Sequence, residues 1–361
     1  MSAQLLTNTL RIAIDISGGD NGSQSIFPAV VQAAQYYPHV EFYLYGDESI
    51  EMDIQPLLSA NSHPNVIFNR SGTPVAMSDS PASALRHKRD SSMALALRAV
   101  ADKRADGCIS AGNTGALVAM GIHFLSCYEG LKRPALCKAI PVVDKSDRHQ
   151  QALNHSYLLD LGANVNCSSA QLAQFASLGS TLCSIIDKRP APSVRLLNIG
   201  RESIKGSSVV QRAAAILEEQ SGLNYCGFIE ADEIFQGVAD VIVCDGFSGN
   251  VALKASEGMA RLVTHNVKQS AQSGVVSRLL SWFASPLIQR WKENMNPDRY
   301  NGAYLLGLKG TVVKSHGAAD QQQFFYALTM LIEQITQNKN LDSSQPVNDM
   351  EAYFQRTCGH M

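Results

Sequence analysis

Short apolar runs alternate along this chain with segments whose apolar residues recur at helical spacing. "LRIAIDISGGDNG" (10–22) leads into "SQSIFPAVVQAAQYY" (23–37), and "VEFYLYGDE" (40–48) into a shorter helical stretch. "NVIFNR" (65–70) precedes a polar loop, and "SSMALALRAVADKRA" (91–105) reads as a helix. Strand, turn and helix follow one another in "GCISAGNTGALVAMGIHFL" (107–125), "SYLLDLGANVNCSSAQLAQFASLGSTLCSII" (156–186), "VRLLNIGRESIKGSSVVQRAAAIL" (194–217) and "ADVIVCDGFSGNVALKASEGMARLV" (239–263). Strands followed by helices in this way predict βαβ units: an α/β fold with a mostly parallel sheet, helices on both faces and right-handed crossovers. The expected organisation is a single α/β domain over residues 1–336, with a helical hairpin inserted at about 265–299 and a polar, mobile tail at 337–361 carrying a short helix at 347–356.

The hairpin breaks the rhythm. In "VVSRLLSWFASPLIQRWKENM" (275–295), Pro286 cannot continue a helix interior, whereas Ser285-Pro286 makes a good N-cap and first helical position. Two short helices are therefore expected to meet there. Leu279, Leu280, Trp282, Phe283, Leu287, Ile288 and Trp291 crowd the joint, and Arg278, Arg290 and Lys292 flank it. Apolar bulk with aromatic and basic neighbours suits contact with an anionic membrane surface. The same residues would equally suit packing on a partner subunit.

Ligands of open α/β sheets bind beyond the carboxyl ends of strands. Here those ends repeat one chemistry: Asp15 with Gly18, Gly19 and Asp20; Gly112 with Asn113 and Thr114; Asp160 with Gly162 and Asn164; Asp245 and Gly246 with Asn250. Each alone could be an ordinary strand-to-helix turn, with glycine supplying the turn and Asn or Thr the cap. Together they predict one rim of helix N-termini and bare amides, suited to an anion and a polarised carbonyl. "YNGAYLLGLKGTVVKSHGAAD" (300–320) adds Lys309, Lys314 and His316, with Lys309 favoured as a phosphate contact because glycines flank it. "RHKRDSSM" (86–93) adds Arg86, Lys88 and Arg89 before Ser91 and Ser92, and Lys205 stands in "GRESIKG".

Composition narrows the ligand. Hydrophobic residues make up 45% of the 361 and charged ones 17%, an ordinary globular balance able to build a large core. A net charge of −2 without a basic stripe gives no case for nucleic acid. The eight cysteines stand singly, without metal spacing, and read as reduced core residues of a cytosolic protein. The start of the chain has no signal-peptide pattern, and no apolar run is long enough to span a bilayer. Neither a P-loop nor a dinucleotide fingerprint is present, and "DGFSGN" fails as a nucleophile elbow because Asn250 stands where glycine is required. The expected site has no metal and no cofactor.

In their order along the chain, "DISGGDNG", "HKRDSSMALA", "GCISAGNTGAL", "LLDLGANVNC", "RLLNIGRESIKG", "GFIEADEIFQGVADVIVCDGFSGNVALKASEG" and "YNGAYLLGLKGTVVKSHGAAD" resemble the bacterial acyl-acyl-carrier-protein:phosphate acyltransferase family, from about Ile12 to Ile335. The first loop departs from the family pattern in having Ser17 where methionine is usual. The resemblance implies a fold like isocitrate and isopropylmalate dehydrogenases and phosphotransacetylase, and a homodimer. It implies reversible transfer of a long fatty acyl group from the thioester of acyl carrier protein to inorganic phosphate. A membrane glycerol-3-phosphate acyltransferase would consume the acyl phosphate, and the protein would be cytoplasmic and peripherally membrane-associated. On this reading Asn113, Thr114 and Asn250 would face the tetrahedral oxyanion, Lys309 and Lys205 would hold phosphate, and His316 would assist the leaving thiolate. Asp15, Asp160 and Asp245 would orient the cations. Lys88 and its basic neighbours would meet phosphate or the acidic carrier protein, or stand as a solvated basic loop. A short-chain phosphotransacetylase using coenzyme A, and a catalytically silent membrane-docked scaffold, stand as alternatives.

Overall fold

The computed structural model describes residues 9–61, 63–143, 155–220, 222–272, 301–340 and 354. Its first half follows the alternation in the sequence: β1 (Leu10–Asp15), α1 (Ser23–Tyr36), β2 (Val40–Gly46), α2 (Glu48–Asn61), β3 (Val66–Arg70), α3 (Pro81–His87), α4 (Ser92–Ala101), β4 (Gly107–Ser110) and α5 (Thr114–Leu125). Then come β5 (Ala135–Pro141), β6 (His155–Leu159), α6 (Ser169–Ile186), β7 (Val194–Leu197), α7 (Ser208–Glu219) and β8 (Tyr225–Ile229). A 3-10 turn (Ala231–Gln236), β9 (Val241–Val243), α8 (Gly246–Gln272), β10 (Ala303–Leu306), β11 (Thr311–Lys314) and α9 (Gln321–Asn340) complete the described residues. Side-chain caps fix several helix starts. Ser80, Ser91, Asn113, Ser168 and Ser207 each accept a backbone N–H of the first turn, satisfying a donor the helix itself leaves orphaned.

Among the described residues the strands form one sheet in the order β3-β2-β1-β4-β11-β10-β5-β6-β9-β7-β8. β1 to β4 and β11 run parallel, as do β6 to β9. Between the two groups, β10 is antiparallel to β11 and β5, and β5 is antiparallel to β6. Three reversals leave the two parallel halves pointing in opposite directions. The strand ends expected to share one rim therefore belong to two opposed halves. Each half presents its own turns, and the strands between the halves bridge them.

Strand alternation sorts the core into two layers. Ile12, Ile14, Leu159 and Val243 lie in the layer that also holds Ala29 of α1, Phe175 of α6 and Leu331 of α9. Ala13, Cys108, Leu136, Leu158 and Val312 lie in the other, with Leu97 of α4 and Leu117 of α5. The hairpin of 275–295 lies outside the described residues, as does most of the segment 337–361. The helix α9 itself continues through Asn340, past the expected boundary at 336. Phe354 is buried, its ring 5.8 Å from that of Tyr128.

Candidate active site

The second core layer carries one row that is not apolar. Asp15 of β1 stands opposite Ser110 of β4, Ser110 opposite Lys314 of β11, and Lys314 opposite Ala303 of β10. The β10–β5 register, extended by one residue, brings Lys138 opposite Ala303. Strand parity points all five to the same face. Lys314 and Lys138 thus sit two strands apart, roughly 10 Å at the backbone, with only the methyl of Ala303 between them. Over this row lies a cavity of about 420 Å³.

Helix α8 closes the cavity from the second half. It places Asn250, Leu253, Lys254 and Glu257 on the wall, at the spacing of one helix face. Asp20, Thr114, Lys314, His316 and Gly317 enter from the first half, and Gly162 from the loop after β6. Lys138 and Glu257 form an ion pair at 3.3 Å, with side chains 14% and 20% exposed. Lys314 is buried, and its ammonium donates to the carbonyls of Ala111 (3.1 Å) and Ser315. Burial pulls its pKa down to about 8 against the opposing pull of Asp15 and Asp20. Burial also lowers His316, opposed by Glu257 and reinforced by Lys314, Lys138 and Lys254. His316 Nδ1 accepts the N–H of Ala318 at 3.2 Å, so the neutral ring carries its proton on Nε2.

Behind the cavity, the aspartates brace the loops. Asp15 accepts the hydroxyls of Ser92 at 2.5 Å and Ser110 at 2.6 Å, and burial pushes its carboxyl up against these bonds and Lys314. Gly18 and Gly19 let the first loop fold over it. A Cβ on Gly18 would sit 2.7 Å from Asp15 Oδ2, and one on Gly19 2.7 Å from the carbonyl of Gly317, where φ is already +87°. Asp20 N–H donates to that same carbonyl at 2.7 Å. Asn301 holds the opposite side, accepting the N–H of His316 at 3.2 Å and donating to Ser315 Oγ at 3.0 Å. In the second half, Asp160 gathers the N–H groups of Leu136, Ala163 and Asn164, and Asp245 accepts Ser248 N–H at 2.8 Å at the start of α8.

Of the residues singled out in the sequence, Asp20, Thr114, Gly162, Asn250, Lys314 and His316 meet in the cavity. Asp15, Gly18, Gly19, Ser91, Ser92, Gly112, Asp160, Asn164, Asp245 and Gly246 build its supports. Asn113 is spent elsewhere: its oxygen caps α5 through Ala116 N–H, and its amide donates to the carbonyls of Met77 and Asp79 at 2.9 Å. Lys88 ties down the same loop through Asp79 (2.6 Å) and the carbonyl of Pro74 (2.8 Å). Lys205 pairs with Glu202 at 2.9 Å between β7 and α7, away from the cavity. Lys309 precedes β11 at its amino end, five residues and roughly 16 Å of extended chain from Lys314. The structure thus puts Lys314, not Lys309, in the anion cavity. Lys138, Lys254 and Glu257 were missed: Lys138 lies in a strand the periodicity did not mark, and the other two continue the helical stripe that begins at Asn250. Among the described residues no group of three or more His, Cys, Asp or Glu is placed to hold a metal ion.

The cavity therefore presents three lysines, a neutral imidazole donor and the amino end of α5 to an anion, beside polar groups suited to a carbonyl oxygen. Comparison with known proteins places both the fold and the family. A phosphotransacetylase from Streptococcus pyogenes superposes with a TM-score of 0.58 at 14% identity, covering 91% of this chain and 95% of that one. The EutD phosphotransacetylase from Staphylococcus aureus gives 0.57 at 16%, with the same coverage. At these identities the likeness is one of fold. The "Phosphate acyltransferase" of Shewanella loihica is 46% identical over 332 residues, 91% of this chain and 93% of its own length. The family described as "Fatty acid synthesis protein" matches residues 10–341, and with relatives this similar over nearly the whole chain, the protein belongs to the phosphate acyltransferases of that family.

Proposed function

We propose that this enzyme transfers a long-chain fatty acyl group reversibly from the phosphopantetheine thioester of acyl carrier protein to inorganic phosphate. The observation that carries the reading is the row on the sheet, which sets buried Lys314 and half-buried Lys138 on either side of Ala303, in a cavity that Lys254 and His316 also line. Phosphate bound to these cations is held for attack, and positioning matters more than deprotonation because phosphate is already nucleophilic. A phosphate oxygen bonds to the thioester carbon, and the carbonyl electrons move onto an oxyanion that Asn250 and Thr114 stabilise. When the carbon–sulfur bond breaks, the electron pair leaves on sulfur and His316 Nε2–H donates a hydrogen bond to the departing thiolate. Leu136, Leu161, Leu253 and Ala303 line the same cavity and suit the apolar reach of the donor.

The test is acyl phosphate formation from palmitoyl-acyl carrier protein and phosphate, with palmitoyl-coenzyme A and acetyl-coenzyme A in parallel. Turnover with the long-chain carrier thioester is expected. Turnover confined to acetyl-coenzyme A would make the enzyme a short-chain phosphotransacetylase, and none with any donor would leave a scaffold.

The wider setting follows from the product. A long-chain acyl phosphate is poorly soluble, so release beside a membrane glycerol-3-phosphate acyltransferase suits it. No helix among the described residues is long and apolar enough to cross a membrane, and the composition of residues 275–295 supports peripheral attachment from the cytoplasm. Replacing Trp282 and Phe283 with glutamate is expected to release the protein from anionic vesicles in a sedimentation assay while sparing turnover of the soluble donor. Unchanged sedimentation would remove the hairpin from membrane binding. Exposed Phe247, Val251, Met259 and Leu262 on α8 support pairing of two copies.

A further inference from the structure

The cavity contains more acid than an anion site needs. Glu257 and Asp20 line it together with Lys138, Lys254, Lys314 and His316, and Glu257 touches Lys138 through Oε1 at 3.3 Å. Its charge also reaches His316, as do those of the three lysines. If attraction were the site's whole task, a carboxylate among these cations would only weaken it. A carboxylate accepts hydrogen bonds and donates none. Beside an oxyanion it is repulsive, unless that oxyanion brings a proton of its own.

We propose that Glu257 is the specificity-determining residue for the acceptor, accepting the P–OH hydrogen of hydrogenphosphate while Lys138 and Lys314 take the bare oxygens. The proposal rests on the phosphate acyltransferase reading of this cavity. Near neutral pH inorganic phosphate and arsenate retain a proton, whereas sulfate, of the same shape and charge as the phosphate dianion, has none. Sulfate would thus set a lone pair against the Glu257 carboxylate, with no proton to offer it. Sites built around a substrate hydroxyl reject the analogue lacking it far more strongly than shape alone allows, because the polar group is left without a partner. Repulsion of the wrong ligand supplies part of the selectivity. Glu257 suits the task better than Asp20. Its side chain is 20% exposed and held by Lys138, whereas Asp20 is exposed and donates its backbone N–H to the carbonyl of Gly317.

The experiment measures anion binding by calorimetry on the full-length enzyme without acyl donor, using phosphate, arsenate and sulfate, and repeats it on Glu257→Gln and Asp20→Asn. Wild-type protein is expected to bind phosphate and arsenate alike and sulfate at least about 100-fold more weakly. Glu257→Gln, whose amide can donate to a bare oxygen, is expected to gain about 10- to 100-fold in sulfate affinity, and Asp20→Asn to retain the wild-type preference. Sulfate should correspondingly become a competitive inhibitor against phosphate in the Gln variant. Equal binding of sulfate and phosphate by the wild type, an unchanged ratio in Glu257→Gln, or a relaxed ratio in Asp20→Asn instead would each overturn the proposal. The wild-type comparison stands even if a variant fails to fold. Failure of the underlying reading gives a different signature: selective phosphate binding with no turnover of any acyl donor.

Discussion

Lys314→Met is expected to lower kcat/KM for phosphate by about 100- to 1,000-fold, the loss typical of removing one preorganised charge from a transition state. Methionine keeps most of the buried stem and removes only the ammonium. Two opposing effects should leave the fold nearly as stable as before. Holding a lysine with its pKa pulled from 10.5 to about 8 costs about 3 kcal/mol in its charged form, and the variant recovers that. Against it, the carbonyls of Ala111 and Ser315 lose a donor, at about 1–3 kcal/mol each where they stay dry. The variant should therefore melt within a few degrees of the wild type while losing nearly all turnover. Collapse of both together would make Lys314 a structural residue.

The same lysine sets the alkaline limb of the pH profile. Below about 8 it is an ammonium that holds phosphate; above, it becomes a neutral amine, so kcat/KM for phosphate in the wild type should fall as pH rises through that value. Bound phosphate favours the charged form, so the limb of kcat should lie higher than that of kcat/KM. Lys314→Arg, charged throughout, should lose the limb even if slower overall. A limb that persists unchanged in Lys314→Met belongs to another group.

These arguments depend on strands that the sequence pattern did not reveal. The units built on β1 and β4 were legible because each is a strand, a glycine-bearing turn and a helix in one continuous segment. Asp15, Asp20 and Thr114 could be read for that reason. β10 and β11 are four residues each, β10 leads into β11 rather than into a helix, and "YLLGLKGTVVKS" reads as a basic, glycine-rich loop as easily as a hairpin. After β5, in "ALCKAIP", the next element among the described residues is the strand β6. Missing these three strands hid the reversal of direction across the sheet. It also hid the parity that separates Lys314 from Lys309, since flanking glycines drew attention to Lys309 and only pairing with Ser110 places Lys314 in the row beneath the cavity. Lys138 alternates with buried Cys137 but faces a partner fixed by the register of a distant hairpin. Glu257, by contrast, was within reach: Asn250, Leu253, Lys254 and Glu257 share a helix face visible in "NVALKASE". The turn chemistry around Asn250 drew attention to the start of α8 and away from the stripe that continues along it.

Asp160→Asn is expected to destabilise the fold by about 2–4 kcal/mol although it changes no volume, because every contact of the carboxylate is with a donor. Oδ1 accepts Leu136 N–H at 2.8 Å and Ala163 N–H at 3.2 Å, while Oδ2 accepts Asn164 N–H at 2.7 Å and its side-chain amide at 2.9 Å. Asparagine can offer its oxygen to only one of these pairs, and its own NH2 then faces two donors with nothing to accept it. Alanine would lose both pairs but avoid the donor clash, so the two substitutions should cost similar amounts rather than grading with size. Burial pushes the Asp160 carboxyl up while these four donors oppose it. The bonds join β5 to the loop after β6, the junction from which Lys138 and Gly162 reach the cavity from opposite sides. Slackening it should loosen the floor under Lys138 as well as the fold. Denaturant unfolding gives the first effect as a lower midpoint. The second should appear as a raised KM for phosphate in protein that is still folded at the assay temperature. A normal unfolding midpoint in Asp160→Asn would mean that the loop satisfies these donors in another way, and the brace would then have to be sought in Arg133, whose guanidinium reaches Asn164 Oδ1 at 2.5 Å.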